Sequence, residues 1–449
     1  MSSSRSCPIK KIKRPSGSIL YGVLASLVFL LGFDVTASKE QPEKSALGNG
    51  LPVIYQRDNS SPLSVLQVFI DGGKGAQPPG LEGLAYLTAR LTIEIPDENK
   101  VQDLMSQSSR TVLVCREDYS YITISCFSGN FEKTVGIVAG IMRDPLFSGL
   151  RIDRIKRFMG HFRDREQDDS INIGRLENLR AFFGTSGVGS SIYGNEDALK
   201  AIKKKDISDF YDRHFTAAHM TLAVASDLER TKVLEVLQKN FGKFPPQSKN
   251  SETLPSSSPG QMPELLEKEK FIEKEMKQTF VSMSFLLPGL SGKNYVLACL
   301  AENLLGRNIG SRLWLLRAQE RLAYNVNARA TLMKNGGLLE AYLETDAEKT
   351  AAAKEALTNV LKELYDQGID GEELATTKTS TKANFLRGDE TKEARTRNLA
   401  SFEVLGLGHE FALRFPEEID KVSLDELNSF IREFLAPPKA YLVVVGRKN

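Results

Sequence analysis

Apolar positions recur along the chain at two periods. Leu51 to Tyr55 and Ser64 to Ile70 carry strand-like runs on either side of a turn at Asp58-Asn59-Ser60, and Thr111 to Cys115 with Tyr119 to Phe127 reads as a hairpin. Helical spacing then takes over. Phe131, Val135, Val138 and Met142 form one apolar stripe, with Asn130 placed to cap the helix and Pro145 just beyond its end. Ala353, Leu357, Val360, Leu361 and Leu364 form a second stripe, closed by Gly368. Strands and helices do not alternate as regular parallel units. The pattern predicts α+β domains, each a mainly antiparallel sheet with helices packed on it.

The pattern is written twice. Val68-Phe69-Ile70 and Ser284-Phe285-Leu286 occupy equivalent places at an offset of about 216 residues, as do Leu84-Ala85 with Leu300-Ala301 and Glu132-Lys133-Thr134 with Glu348-Lys349-Thr350. Thr221 to Ser226 and Tyr441 to Gly446 match at an offset of about 220. Between the copies, Pro245, Pro246, Pro255, Pro259 and Pro263 with the serines at 256–258 mark a linker. The expected organisation is a leader over 1–37, an N-terminal domain over 38–245, a linker over 246–268 and a C-terminal domain over 269–449. The linker is long enough to let the two duplicated domains face each other.

The leader is a basic start (Arg5, Lys10, Lys11, Lys13, Arg14), an apolar run from Ile19 to Phe33 and the small residues of Val35-Thr36-Ala37. That order is a secretory signal, which places the protein in the periplasm or outside the cell; an uncleaved single membrane anchor is the alternative. The 449-residue chain carries 59 basic and 57 acidic residues. Without a basic excess it lacks the footprint of a nucleic-acid protein. Cys115, Cys126 and Cys299 are too few for a disulfide framework and read as small apolar residues. Gly72-Gly73-Lys74-Gly75 lacks the spacing of a phosphate loop.

Leu47-Gly-Asn-Gly-Leu-Pro-Val53, Gly72-Gly73, Gly83-Leu84-Ala85, Tyr193-Gly194 and the segment from Gly310 to Tyr324 together resemble the pitrilysin/insulinase-type zinc peptidases and mitochondrial processing peptidase. The resemblance covers nearly the whole chain after the leader and implies two related halves closing like a clam-shell. Active members carry H-x-x-E-H on a helix after the Gly-Leu-Ala, where two His hold zinc and the Glu takes a proton from the metal-bound water. Here the window reads Tyr86-Leu87-Thr88-Ala89-Arg90. Counting from Asp168 and Gly194 places the distal ligand at Phe162, or at Glu166 one turn later. No metal site and no cofactor are expected in this chain. The Arg90 guanidinium is expected to fill part of the vacated cation position, facing Glu166. His161, His214, His219 and His409 lack the spacing to replace the lost ligands.

The resemblance also singles out Arg317 and Tyr324 in the second half. In active relatives such a pair faces the zinc, the Tyr hydroxyl donating to the developing oxyanion and the Arg holding substrate. The resemblance therefore implies the zinc-free subunit of a two-chain endopeptidase. Its peptide substrates would be cut with zinc carried by a partner bearing H-x-x-E-H. The alternative is a structural or peptide-binding homologue without protease activity.

Overall fold

The computed structural model describes residues 40–95, 97–247 and 267–448. The leader, and residues 248–266 of the expected linker, lie outside the described residues. The described residues form one compact unit built on two sheets.

The first sheet holds β1 (Glu43–Ala46), β2 (Pro52–Arg57), β3 (Leu63–Ile70), β4 (Arg110–Cys115), β5 (Ser120–Phe127) and β6 (Met220–Ser226) in the order β1-β2-β6-β3-β5-β4. The second holds β7 (Glu269–Glu273), β8 (Thr279–Leu287), β9 (Asn325–Met333), β10 (Gly336–Thr345) and β11 (Tyr441–Gly446) in the order β7-β11-β8-β10-β9. Each sheet is antiparallel except for one parallel pair, β2 with β6 and β7 with β11. The orders superpose strand for strand from β2 to β4 and from β7 to β9. The turn at Asp58–Ser60 thus joins strands that are not neighbours, because β6 enters between them.

The helices of the first half are α1 (Leu84–Ile93), α2 (Glu98–Ser106), α3 (Phe131–Arg143), α4 (Gly149–Glu166), α5 (Ser170–Phe183), α6 (Glu196–Ala201), α7 (Lys204–His214) and α8 (Arg230–Phe241). Those of the second are α9 (Gly292–Glu302), α10 (Trp314–Ala318), α11 (Thr350–Gln367), α12 (Gly371–Arg387), α13 (Lys392–Val404), α14 (Phe411–Lys421) and α15 (Leu424–Phe434). The stripe of α3 is buried as its spacing requires. Its N-terminus differs from expectation: Ser128–Asn130 forms a 3-10 turn, and the Asn130 amide donates to the Gln107 carbonyl instead of capping the helix. Among the described residues, no helix is long and apolar enough to cross a membrane.

Strand alternation gives each sheet two apolar faces. Leu66, Val68 and Ile70 of β3, with Ile122, Ile124, Leu222 and Val224, pack against α3 and α8 of their own half. The opposite face, carrying Ile54, Phe69, Tyr121 and Ala223, is covered by α13 from the second half. The second sheet does the reverse. Val281, Met283, Phe285, Leu339 and Ala341 meet α9 and α11, whereas Phe280, Leu338, Val443 and Val445 receive Leu179 and Phe182 of α5. Each half lends one helix to the other.

Polar contacts fix this exchange. On α13, the Arg395 guanidinium meets the buried Asp58 carboxylate, and the Lys392 ammonium donates to the carbonyls of Ser61 and Leu63 at 2.7 and 2.8 Å. On α5, the Asn178 amide donates to Ser282 Oγ at 3.0 Å and to Glu340 at 2.9 Å. Gly174 is required where α5 crosses β8, since a Cβ there would lie 2.1 Å from the Phe280 ring. With several large side chains buried at about 1.5–3 kcal/mol each, the halves share their cores.

Candidate functional site

The window Tyr86–Arg90 lies on α1. Leu87, Thr88 and Ala89 are buried, while Tyr86 and Arg90, four residues apart, share the half-buried face. Gly194 brings the following segment against the start of α1: its φ is +68°, and a Cβ would lie 2.0 Å from the Glu82 carbonyl oxygen. That approach delivers Tyr193 to the window. The Tyr86 ring meets Tyr193 edge-on with centroids 5.0 Å apart, and Phe162 of α4 stacks on the same ring at 5.4 Å. Positions 86 and 162 are therefore brought together around one ring, and what they form is an aromatic cluster. Burial pushes the Tyr193 hydroxyl up to about 12 and raises that of Tyr86.

These residues do not fit a zinc ion. Two phenols, a phenyl ring, an alanine and a guanidinium supply neither the imidazoles nor the carboxylates that zinc requires. Among the described residues no group of three or more His, Cys, Asp or Glu is disposed to hold a metal. Among the described residues no hydrogen bond or ion pair joins Arg90 to Glu166. Glu166 accepts a hydrogen bond from Ser191 Oγ at 2.9 Å, and the cations that act on it are Lys74 and Arg175. Burial nevertheless raises its pKa above the usual carboxylate range.

The four histidines stand apart from the cluster's chemistry. His161 is exposed on α4. His214 is buried with Nδ1 2.6 Å from the Asp71 carbonyl oxygen, its ring 5.8 Å from that of His219. His409 Nδ1 lies 3.4 Å from Glu403.

Arg317, in the last turn of α10, stacks its guanidinium over Trp314 at 5.1 Å. Tyr324 is 55% exposed, and its hydroxyl donates to Asp346 Oδ2 at 3.3 Å. Its backbone N–H donates to the Glu344 carbonyl, and the Glu344 carboxylate in turn accepts from Ser170 Oγ at the start of α5. Tyr324 thus stands beside the junction of the halves. No hydrogen bond among the described residues joins it to Arg317.

Beside the aromatic cluster, a cavity of about 540 Å3 opens along α4 and α5, with Ile272 and Lys274 of the second half on its wall. Its most informative residue is Lys74, only 4% exposed. The loop Gly73–Gly75 pairs with the β4–β5 turn: Lys74 N–H donates to the Arg116 carbonyl and Gly75 N–H to that of Glu117. Gly73 permits this approach, because a Cβ would lie 2.4 Å from both carbonyl oxygens. The Lys74 ammonium then donates to the Ser190 carbonyl at 3.1 Å and lies 3.6 Å from Glu117. Burial lowers the Lys74 pKa. Glu117 is held below the usual carboxylate range by Lys74, against the opposing effect of burial. The spacing argument that rejects a phosphate loop says nothing of this buried cation; the paired glycines before it are the signal of a close backbone approach.

Residues 201–381 match the family described as the Peptidase M16 inactive domain. The non-peptidase homolog YmxG of Helicobacter pylori is 24% identical over 407 residues, 89% of this chain and 92% of that protein. A probable mitochondrial-processing peptidase subunit alpha-1 of Arabidopsis thaliana is 22% identical over 439 residues, 90% of this chain and 82% of that protein. The crystal structure of a peptidase M16 inactive domain from Pseudomonas fluorescens superposes with a TM-score of 0.81 at 18% identity, covering 91% of this chain and 98% of that one. By these matches the chain is similar to the M16 peptidases over most of its length, and its residues Tyr86, Ala89, Arg90 and Phe162 include none of the ligands that zinc requires.

Proposed function

We propose that this chain is a non-catalytic M16 homologue that holds extended peptide segments in the cleft beside α4 and α5. The packed aromatic cluster of Tyr86, Phe162 and Tyr193 carries the reading. It removes the metal chemistry while the adjoining cavity persists, lined by charged groups of both halves. Edge strand β4, whose last residue Cys115 reaches the cavity, offers a backbone edge against which a peptide can lie. The leader, read as a secretory signal, would place this activity in the periplasm or outside the cell. The test is direct. The purified mature chain should bind fluorescent peptides, measured by anisotropy, and return them uncut; absence of binding across a varied peptide set would refute it.

A second reading rests on the exposure of Tyr324. An exposed tyrosine beside the junction of the halves, its hydroxyl held only by one long hydrogen bond to Asp346, can turn to a substrate held by another chain, and a relative such as the alpha-1 subunit above is named as part of a larger peptidase. In that reading Arg317 and Tyr324 serve a partner that carries H-x-x-E-H and the zinc. Mixing the two chains should produce chelator-sensitive cleavage that Tyr324→Phe lowers about tenfold to a thousandfold. Unchanged turnover would exclude the role for the hydroxyl.

A further inference from the structure

The cavity beside α4 and α5 holds more positive charge than its own carboxylates neutralise. Glu117 is committed to the buried Lys74. The Glu166 carboxylate accepts from Ser191, and that of Glu82 accepts the Gly80 N–H at 3.0 Å. Arg163 turns to Asp164 at 3.0 Å, and Arg180 lies 3.9 Å from Glu177. Arg175 reaches Glu340 through one contact of 3.4 Å, and Glu340 is shared with Asn178. Arg329, the cross-strand neighbour of Glu340, adds a further cation behind it. Burial lowers the Arg329 pKa, and the charges of Arg175 and Arg116 lower it further, so these guanidiniums act on one another. At the mouth stand the exposed Arg116 and the half-buried Lys274, neither of which enters an ion pair among the described residues.

We infer that this cleft selects peptides through a carboxylate, either an acidic side chain or a free C-terminus, received by Arg116 and Lys274 with Arg175 behind them. The inference rests on the peptide-holding reading and narrows it to a substrate class. A guanidinium fork binds a carboxylate in a fixed plane, and a cleft with low-dielectric walls concentrates the field of its unneutralised cations. A peptide carboxylate supplies the ion-pair partner that Arg116 and Lys274 lack among the described residues.

The experiment uses the mature full chain and fluorescein-labelled ten-residue peptides sharing one backbone. The set comprises acidic, neutral and basic versions, with the neutral one made with a free and with an amidated C-terminus. Anisotropy titrations should show the acidic peptide binding about tenfold more tightly than the neutral one, with the basic one weakest, and the difference should shrink as salt is raised. If the C-terminus is the recognised group, amidation alone should cost the neutral peptide about tenfold. The double variant Arg116→Gln/Lys274→Gln, both positions solvent-accessible, should lose most of that preference, its acidic-to-neutral affinity ratio falling toward one. Equal affinity for all versions, a preference for the basic peptide, or an undiminished preference in the double variant overturns the inference and leaves peptide holding intact. Failure to bind any version overturns peptide holding as well.

Discussion

Asp118 accepts a hydrogen bond at 2.9 Å from the backbone N–H of Lys334, and the two residues are 216 positions apart. That separation is the offset that relates the two copies of the repeat. Two equivalent positions can touch only close to the axis relating the copies, so this contact marks where the halves turn about one another. The β4–β5 turn that carries Asp118 also carries Arg116 and Glu117, which places the charged cleft beside the same axis.

The contact separates two contributions. Asp118→Ala removes the acceptor of a partly buried N–H and should lower stability by about 1–3 kcal/mol. Lys334→Ala keeps the backbone bond and removes only the ion pair with Asp71, whose two ends are each well exposed, at a cost of about 0–1 kcal/mol. Urea midpoints of the two variants check the order.

Arg395 and Asp58 form the most deeply buried ion pair between the halves. Arg395→Ala strands the Asp58 carboxylate in the interior and should cost about 3–5 kcal/mol, read from chemical unfolding. Replacing both at once, Asp58→Asn with Arg395→Met, should recover part of that loss.

Gly174→Ala tests the reciprocal helix. The new Cβ would lie 2.1 Å from the Phe280 ring, so α5 must move off β8. The expected loss is about 1–3 kcal/mol. An unchanged unfolding midpoint would show that α5 does not pack as described.

How much of this was legible in the sequence depends on the range of each interaction. The stripes of α3 and α11 were readable because burial of one helical face follows from spacing alone. The replacement of the H-x-x-E-H pattern by Tyr86, Ala89 and Arg90 was readable because those positions can be counted along the chain. The cluster around Tyr193 was not, since it depends on the Gly194 approach to α1, a contact between segments more than a hundred residues apart. The expected meeting of Arg90 with Glu166 has no contact among the described residues for a related reason: Ser191 binds Glu166 from a loop whose path no local pattern records. The exchange of α5 and α13 between halves was hidden as well, because an apolar face does not say whose sheet it covers.

His214 gives the fold a pH dependence of known sign. Burial lowers its pKa from 6.5 to about 4, so the folded state binds the proton more weakly than the unfolded state. The neutral ring's contribution is complete above pH 6.5 and is lost as pH falls toward 4. It amounts to a few kcal/mol at most, because each tenfold weakening of proton binding is worth about 1.4 kcal/mol. His214→Gln should flatten the fall in urea midpoint across that window. Wild-type stability independent of pH there would contradict the buried neutral ring.

The central claim is that the cleft holds a peptide that this chain does not cut. The decisive measurement is mass spectrometry of a peptide incubated with the purified mature chain, with added zinc and with chelator, after anisotropy has shown the complex to form. The account predicts an intact peptide recovered from the complex in both conditions; peptide fragments that appear with zinc and vanish with chelator would contradict it.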